Sequence, residues 1–145
     1  MPTVSELMTR NVAVVGPEDS LQRAAQLMDE LNVGSLPVCE GDRLLGMITD
    51  RDITVRATSA GLSPADTRVG DVMSEQIRTA TPNESAESLM KQMADVKIRR
   101  MPVLDDQHRL IGIVSLGDLA ARRTVHVDET LREISSPSAP DRPGG

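Results

Sequence analysis

The sequence contains no phenylalanine, tyrosine or tryptophan among its 145 residues. The core must therefore be built from aliphatic side chains and methionine, and no binding site in this chain can stack a base on an aromatic ring. Such stacking is typical of proteins that bind single-stranded nucleic acid. The formal net charge of −6 also disfavours binding to a phosphate backbone, which depends on clustered lysine and arginine. The composition predicts no nucleic-acid partner.

Cysteine is nearly absent as well. Cys39 is alone, so no internal disulfide can form, and a reducing cytoplasm is the expected location. It lies in a predicted buried strand and is expected to be a small core residue. The sequence has no run of about eighteen apolar residues, which argues against a transmembrane helix and a membrane partner. The opening residues, MPTVSELMTR, lack the basic and then apolar pattern of a secretory signal.

One pattern occurs twice in the chain. Residues 46–53 read GMITDRDI and residues 112–119 read GIVSLGDL, with glycine, two apolar residues, a hydroxyl and an aspartate in the same order. Residues 4–41 align with residues 69–106 at an offset of 65, and an extra residue near Gln107 changes the offset to 66. The order of the element signals also agrees, which indicates an internal duplication.

Each copy predicts the element order β-α-β-β-α, a fold of the α/β (α+β) class. NVAVVGP and QIRTATP predict first strands that end at a proline, and apolar spacing predicts a helix after each. SLPVCE with LLGMIT, and RMPVLD with LIGIVS, predict hairpins. The predicted repeats are residues 1–61 and 62–123, followed by a tail, residues 124–145, with a short helix and a disordered Pro/Gly-rich end.

Capping residues mark the ends of these helices. Asp19 or Ser20 is expected to cap the first helix of copy one, and Glu84 or Ser85 the matching helix of copy two. A second helix is predicted to start near the aspartate of each repeated motif. Gly61 is a plausible end signal for the first of these.

The duplicated units resemble cystathionine-β-synthase (CBS) domains. The resemblance rests on an "MT"-like start, a Pro-Val strand and the segments DRLLGMITDRDI and HRLIGIVSLGDL in register, and it covers residues 4 to about 123. It implies a tandem CBS pair, or Bateman module, of the stand-alone bacterial type. In such a pair the two repeats pack with pseudo-two-fold symmetry, each with a small three-stranded sheet and two helices.

The resemblance also implies a ligand, which in this family is an adenosine-containing nucleotide held in the cleft between the repeats. AMP or ATP is expected, ADP is similar, NAD or S-adenosylmethionine is possible, and no cofactor is required. An ionised aspartate at a helix start can accept hydrogen bonds from both ribose hydroxyls, and nearby helix N–H groups favour phosphate. The candidate ribose-binding pairs, here called ribose grips, are Thr49 with Asp52 and Ser115 with Asp118. Helix capping alone is the competing explanation of both pairs.

Adenine is expected to be read by backbone groups of the first strands. The candidate residues there are Val15, Gly16, Ala80 and Thr81.

The two copies differ at the position three residues before the strand proline, where the family often carries a basic phosphate contact. Copy two has Arg99 there and copy one has Gly34, so the site with Asp118 is expected to prefer phosphorylated ligands. Arg51 is expected to reach towards the phosphate of that second site. The alternative is that these arginines are surface charges, or that they pair with Asp50 and Asp95.

The predicted function is a non-catalytic regulatory module that binds an adenine nucleotide, and a structural or interaction protein with empty clefts is the alternative. No set of base and nucleophile suggests an enzyme, and no histidine spacing suggests a metal site. A homodimer is expected through helix surfaces carrying Met28, Leu31, Met90 and Met93. The sequence does not identify the regulated partner protein.

Overall fold

The computed structural model describes residues 2–96 and 98–120, so the predicted tail, residues 124–145, lies outside the described residues. The helices and strands, in chain order, are α1 (Val4–Leu7), α2 (Leu21–Leu31), β1 (Ser35–Glu40), β2 (Arg43–Thr49), a π-helix (Asp52–Thr58), a 3₁₀ helix (Val69–Asp71), α3 (Ala86–Val96), β3 (Arg100–Leu104), β4 (Leu110–Ser115) and α4 (Leu116–Ala120). The mixture of small sheets and helices confirms the predicted fold class.

The described residues form two compact units, and one of them joins two separate stretches of the sequence. One, here called the Asp52 unit, runs from Ala13 to Ile77. The other, the Asp118 unit, joins the segment up to Val12 to the described residues from Arg78 onward. These units differ from the contiguous repeats 1–61 and 62–123 that the sequence suggested.

The long helix of each unit begins at a serine. Ser20 Oγ accepts the amide of Arg23 at 3.0 Å, and Ser85 Oγ accepts the amide of Ser88 at 3.1 Å. Serine is therefore the capping residue in both copies, out of the two candidates that the sequence offered for each. The neighbouring Asp19 has a different role, since its carboxylate accepts the amide of Gly16 at 2.8 Å.

Each unit is built on an antiparallel hairpin, β1 with β2 and β3 with β4. Both hairpins contain a register shift at the same place in the repeat, between Val38 and Cys39 and between Val103 and Leu104. The predicted first strands are reduced to single parallel bridges, Val15 to Val38 and Ala80 to Val103. They are short because Pro17 and Pro82 follow within two residues and have no N–H to continue a ladder.

The segment that precedes each repeat pairs with the hairpin of the other repeat. Met47 and Ser74 exchange two backbone hydrogen bonds of 3.0 and 2.9 Å in the Asp52 unit. Thr9 and Ile113 exchange two of 2.8 and 2.9 Å in the Asp118 unit. This exchange of leading segments explains why the Asp118 unit joins two separate stretches of the chain, and why the Asp52 unit extends to Ile77.

The glycine of the repeated motif makes the close approach of these segments possible. A Cβ on Gly46 would overlap the carbonyl oxygen of Ser74, and a Cβ on Gly112 would lie 2.6 Å from Met8 Sδ and 2.9 Å from the carbonyl oxygen of Thr9. Backbone atoms cannot rotate out of the way as a side-chain end can. A side chain at either position would therefore push the crossing segment off the hairpin.

Gly46→Ala is expected to destabilise the protein by about 1–3 kcal/mol, because the added methyl group overpacks a backbone contact. Urea unfolding followed by circular dichroism measures this as a lower midpoint. Gly16→Ala is the control, since its added Cβ would lie 3.7 Å from the nearest heavy atom. Equal midpoints for the two variants would show that the crossing segment is not held tightly on β2.

Two separate aliphatic and methionine cores stabilise the units, one in each. Met28 is 6% exposed in one core, and Met90 and Met93 are 2% and 0% exposed in the other. The expectation that these three methionines form an exposed dimer surface is therefore wrong, because each lies on the inner face of its helix. Leu31 is 47% exposed and remains on the surface.

The second helix of the first repeat, predicted to start near the aspartate of the motif, is a π-helix over Asp52–Thr58, a wider coil than an α-helix. Gly61, three residues beyond its end, adopts φ +76°, the left-handed conformation expected of a helix end signal. Across the described ranges, no helix is long and apolar enough to cross a membrane.

Candidate functional site

In the Asp118 unit, the predicted ribose grip lies where β4 passes into α4. Asp118 Oδ2 accepts the amide of Ser115 at 3.2 Å, and Ser115 Oγ accepts the amide of Asp118 at 3.0 Å. This reciprocal pair caps the helix with one carboxylate oxygen. Among the described residues, no donor reaches the other oxygen, Oδ1, and the side chain is half-buried. The carboxylate therefore caps the helix through one oxygen, and within the described residues its other oxygen accepts no hydrogen bond.

In the Asp52 unit, the same pair has the same geometry. Asp52 Oδ2 accepts the amide of Thr49 at 3.0 Å, and Thr49 Oγ1 accepts the amide of Asp52 at 2.9 Å. A third residue joins this group, because Ser74 Oγ lies 3.3 Å from Oδ1 and 3.4 Å from Oδ2 of Asp52. Asp52 is also 9% exposed, the one buried charged side chain in the part of the chain that the structure describes.

Arg99 lies in the same unit as the Asp118 group. Its carbonyl oxygen accepts the amide of Leu116, the first residue of α4, at 2.8 Å. In the Asp52 unit, the carbonyl oxygen of Gly34 accepts the amide of Asp50 at 2.9 Å in the equivalent bond. The structure thus places Arg99 and Gly34 at matching positions, each beside the helix start that carries the aspartate.

The surroundings of these two positions have opposite charge. A Cβ on Gly34 would lie 3.2 Å from a carboxylate oxygen of Asp50, whereas the residue matching Asp50 in the other unit is Leu116. Position 34 therefore lies beside a carboxylate, whereas position 99 carries an arginine next to an apolar residue.

A family model for the CBS domain matches this chain twice, over residues 4–57 and 69–125. The chain belongs to the CBS domain family. The two matches contain the two hydroxyl-x-x-Asp groups, so the repeat found in the sequence is a pair of CBS domains. CBS-pair proteins that stand alone are generally regulatory or of unknown function.

Relatives of similar length share this CBS pair. The chain is 46% identical over 123 residues to the CBS domain-containing protein YhcV of Bacillus subtilis, covering 85% of this chain and 86% of the relative. It is 37% identical over 141 residues to Hypoxic response protein 1 of Mycobacterium tuberculosis, covering 96% and 98%. A crystal structure of Hypoxic Response Protein I with two coordinated zinc ions superposes with a TM-score of 0.76 at 37% identity, over 84% of this chain and 99% of that one.

A structure of a plant CBS-pair protein contains a nucleotide. CBSX2 from Arabidopsis thaliana, crystallised in complex with AMP, superposes with a TM-score of 0.74 at 28% identity. The match covers 83% of this chain and 95% of that one.

The segments predicted to read adenine have much of their backbone engaged already. The amides of Val15 and Ala80 donate to Pro37 and Pro102 at 3.0 and 2.9 Å in the parallel bridges. The amides of Gly16 and Thr81 donate to the carboxylates of Asp19 and Glu84 at 2.8 and 2.9 Å. The carbonyl oxygens of the same four residues accept the amides of Cys39, Asp19, Leu104 and Glu84, so a purine bound here would have only the second lone pair of each carbonyl to contact.

Arg51 is exposed at the start of the π-helix, next to Asp52 in sequence.

Cys39 is 5% exposed. Its burial, with a smaller contribution from Asp42, raises the pKa of its thiol to about 11. The thiol stays protonated at neutral pH and behaves as a small core residue, as the sequence suggested.

A groove of about 290 Å³ opens in the Asp52 unit between α2 and the π-helix. It shares no residue with the predicted ligand site. The lining residues include Met28, Asp29, Val33, Asp50 and Ile53. The matching positions of the other CBS domain are apolar, with Ala94 in place of Asp29 and Leu116 in place of Asp50, and both are buried. The two domains have therefore diverged here as well as at Gly34 and Arg99.

Sequence reasoning missed Ser74. The available signal was the dipeptide Met73-Ser74, which repeats Met8-Thr9 at the start of the chain. Its meaning depends on the exchange of leading segments, which brings Ser74 to the aspartate of the other repeat.

No metal site was predicted, and within residues 2–96 and 98–120 no group of three or more histidine, cysteine or acidic residues is placed to hold an ion.

Proposed function

We propose that this CBS pair binds an adenosine-containing nucleotide of the AMP, ADP or ATP type, and that binding regulates a partner protein rather than starting a reaction. The observation that carries the proposal is the Asp118 group. Its carboxylate caps α4 through Oδ2, no donor among the described residues reaches Oδ1, and Arg99 directly precedes the neighbouring strand β3. Capping needs one oxygen only, so a ribose hydroxyl can be accepted without unfolding the helix start.

The AMP complex of CBSX2 supports the choice of ligand, because that protein shares the fold over most of this chain. Charge also favours a phosphorylated ligand in the Asp118 unit, since a guanidinium can contact a phosphate through two N–H groups. The hydroxyls of Thr49 and Ser115 each accept a backbone amide. In the described residues, neither hydroxyl is hydrogen-bonded to a side chain that could act as a general base. This supports a role in binding over a role as a nucleophile.

A thermal-shift screen with AMP, ADP, ATP, NAD and S-adenosylmethionine tests the proposal. A ligand at about 100 times its Kd adds about 2.7 kcal/mol to the stability of the folded state, which raises Tm by several degrees. Adenine nucleotides are expected to give the largest rise. If none of the five ligands raises Tm at millimolar concentration, the proposal of nucleotide binding fails and the alternative, an interaction protein with empty sites, replaces it. Both aspartates would then serve only as helix caps.

We also propose that the protein is a homodimer. We propose a cytoplasmic location as well, on the ground of the single buried thiol. With the three methionines buried, Leu31 on α2 and Val55 on the π-helix carry the dimer proposal, at 47% and 48% exposed. Light scattering at tens of micromolar is expected to give twice the chain mass, and Leu31→Glu is expected to shift it towards the monomer. A monomeric mass for the unmodified chain would contradict the dimer.

A further inference from the structure

The two aspartates differ in how much of the carboxylate the protein already uses. Asp118 receives one amide on Oδ2. Asp52 receives an amide on Oδ2 and, in addition, the hydroxyl of Ser74 across both oxygens. The sequence alone predicts that a ligand without phosphate binds both sites equally, because both keep the hydroxyl-x-x-Asp motif.

The position of Ser74 is the one that a ribose would need. Its Oγ is almost equidistant from the two carboxylate oxygens, at 3.3 and 3.4 Å, and so lies near the plane that bisects the carboxylate. Two vicinal ribose hydroxyls reach a carboxylate about 2.7 Å from its oxygens, one on each side of that plane. They would displace the serine hydroxyl before they could bind.

Ser74 is also held where it is. Its backbone exchanges two hydrogen bonds with Met47, and Arg56 Nη1 donates to the carbonyl oxygen of Met73 at 3.2 Å. The segment lies so close to Gly46 that a Cβ at that position would overlap the carbonyl oxygen of Ser74. The hydroxyl is therefore presented to Asp52 by a fixed backbone and can leave only by rotating its own side chain.

The other unit supplies an internal comparison. Thr9 occupies the matching place and exchanges the same pair of backbone bonds, with Ile113. Within the described ranges no hydrogen bond joins the Thr9 hydroxyl to Asp118, and Thr9 is exposed. The same crossing segment thus brings a hydroxyl to Asp52, whereas among the described residues it brings none to Asp118.

We propose that Ser74 is a specificity-determining residue: its hydroxyl competes with the ribose hydroxyls for Asp52, so that the Asp118 site fills first even with an unphosphorylated nucleoside. This inference rests on the proposed nucleotide binding. It adds a selection on ribose to the selection on phosphate that Arg99 provides. Displacing one serine hydrogen bond is expected to lower affinity at Asp52 by about 3- to 10-fold.

Methionine methyl NMR can measure the two sites separately in the intact chain. Met73 Sδ would lie 3.3 Å from a Cβ on Gly46, and Met8 Sδ packs against Gly112, so each unit has a matched reporter beside its motif. In a titration of ¹³C-methyl-methionine protein with adenosine, the Met8 signal is expected to move at about 3- to 10-fold lower concentration than the Met73 signal.

Two changes should remove this difference by different routes. Ser74→Ala is expected to bring the Met73 midpoint to that of Met8, while the matched Thr9→Ala leaves both midpoints in place. 2′,3′-Dideoxyadenosine, which lacks the hydroxyls in question, is expected to bind both sites of the unmodified protein equally, with no variant needed.

Each outcome has one meaning. Equal midpoints for adenosine in the unmodified protein would overturn the competition and show that Ser74 does not affect binding. Weaker adenosine binding at the Met73 signal in Ser74→Ala would also overturn it and show that Ser74 contacts the ligand. If no nucleoside or nucleotide moves either methionine signal, the proposed function itself fails.

Discussion

Replacing Asp118 by alanine is expected to weaken AMP binding by about 30- to 1,000-fold, which corresponds to about 2–4 kcal/mol. The carboxylate would accept both ribose hydroxyls in charge-assisted hydrogen bonds, and alanine can accept neither. Calorimetry on the unmodified protein and the variant measures the change directly.

The fold must be checked in the same experiment, because Asp118 also accepts the amide of Ser115 at 3.2 Å. Loss of a helix cap costs about 1 kcal/mol. Asp118→Asn keeps an oxygen for that amide and removes the charge, so it should melt near the unmodified protein and still bind AMP poorly. Asp106→Ala, an exposed aspartate of the same unit, is the control that should bind normally. Unchanged AMP affinity in Asp118→Ala would show that the Asp118 carboxylate does not bind the ribose.

The second large effect concerns phosphate. The phosphate of AMP is expected to add about 10- to 100-fold to the preference for the Asp118 site over the Asp52 site, because a guanidinium-phosphate pair contributes about 1.5–3 kcal/mol. Arg99→Ala should lose this added preference and keep the roughly 3- to 10-fold preference expected from Ser74. The measured quantity is the ratio of AMP affinity to adenosine affinity, in the unmodified protein and in the variant.

Arg100→Ala is the matched control for that measurement. Arg100 is the first residue of β3, directly after Arg99, and is half-buried as Arg99 is. A general loss of positive charge would affect both variants equally, whereas a specific phosphate contact would affect only one. An AMP-to-adenosine ratio that survives in Arg99→Ala would show that Arg99 has a structural or surface role.

Periodicity and capping chemistry predicted the local elements well, because both depend on neighbouring residues. The two hairpins, the long helices, the serine caps and the helix-ending Gly61 are all present. The burial of Cys39 was also predicted. The hydroxyl and aspartate of each motif meet at a helix start because they are three residues apart, a separation that a helix cap brings together.

Features that depend on distant residues were not predictable in the same way. Residue spacing does not show that Ser74 and Thr9 pair with the hairpin of the opposite repeat, so the roles of Gly46 and Gly112 and the third member of the Asp52 group were not found. Met28, Met90 and Met93 were taken for surface residues because a helical stripe of methionine fits a core and an interface equally well. Prolines cut the first strands to single bridges, which an apolar run does not reveal.

A crystal structure grown with AMP at a concentration that fills only the tighter site tests the central claim most directly. The account predicts AMP in the Asp118 unit, with the ribose hydroxyls within hydrogen-bond distance of the Asp118 carboxylate and the phosphate against Arg99. It also predicts lower occupancy at Asp52, where the Ser74 hydroxyl remains on the carboxylate. AMP bound elsewhere, or absent while Asp118 only caps its helix, would contradict the account.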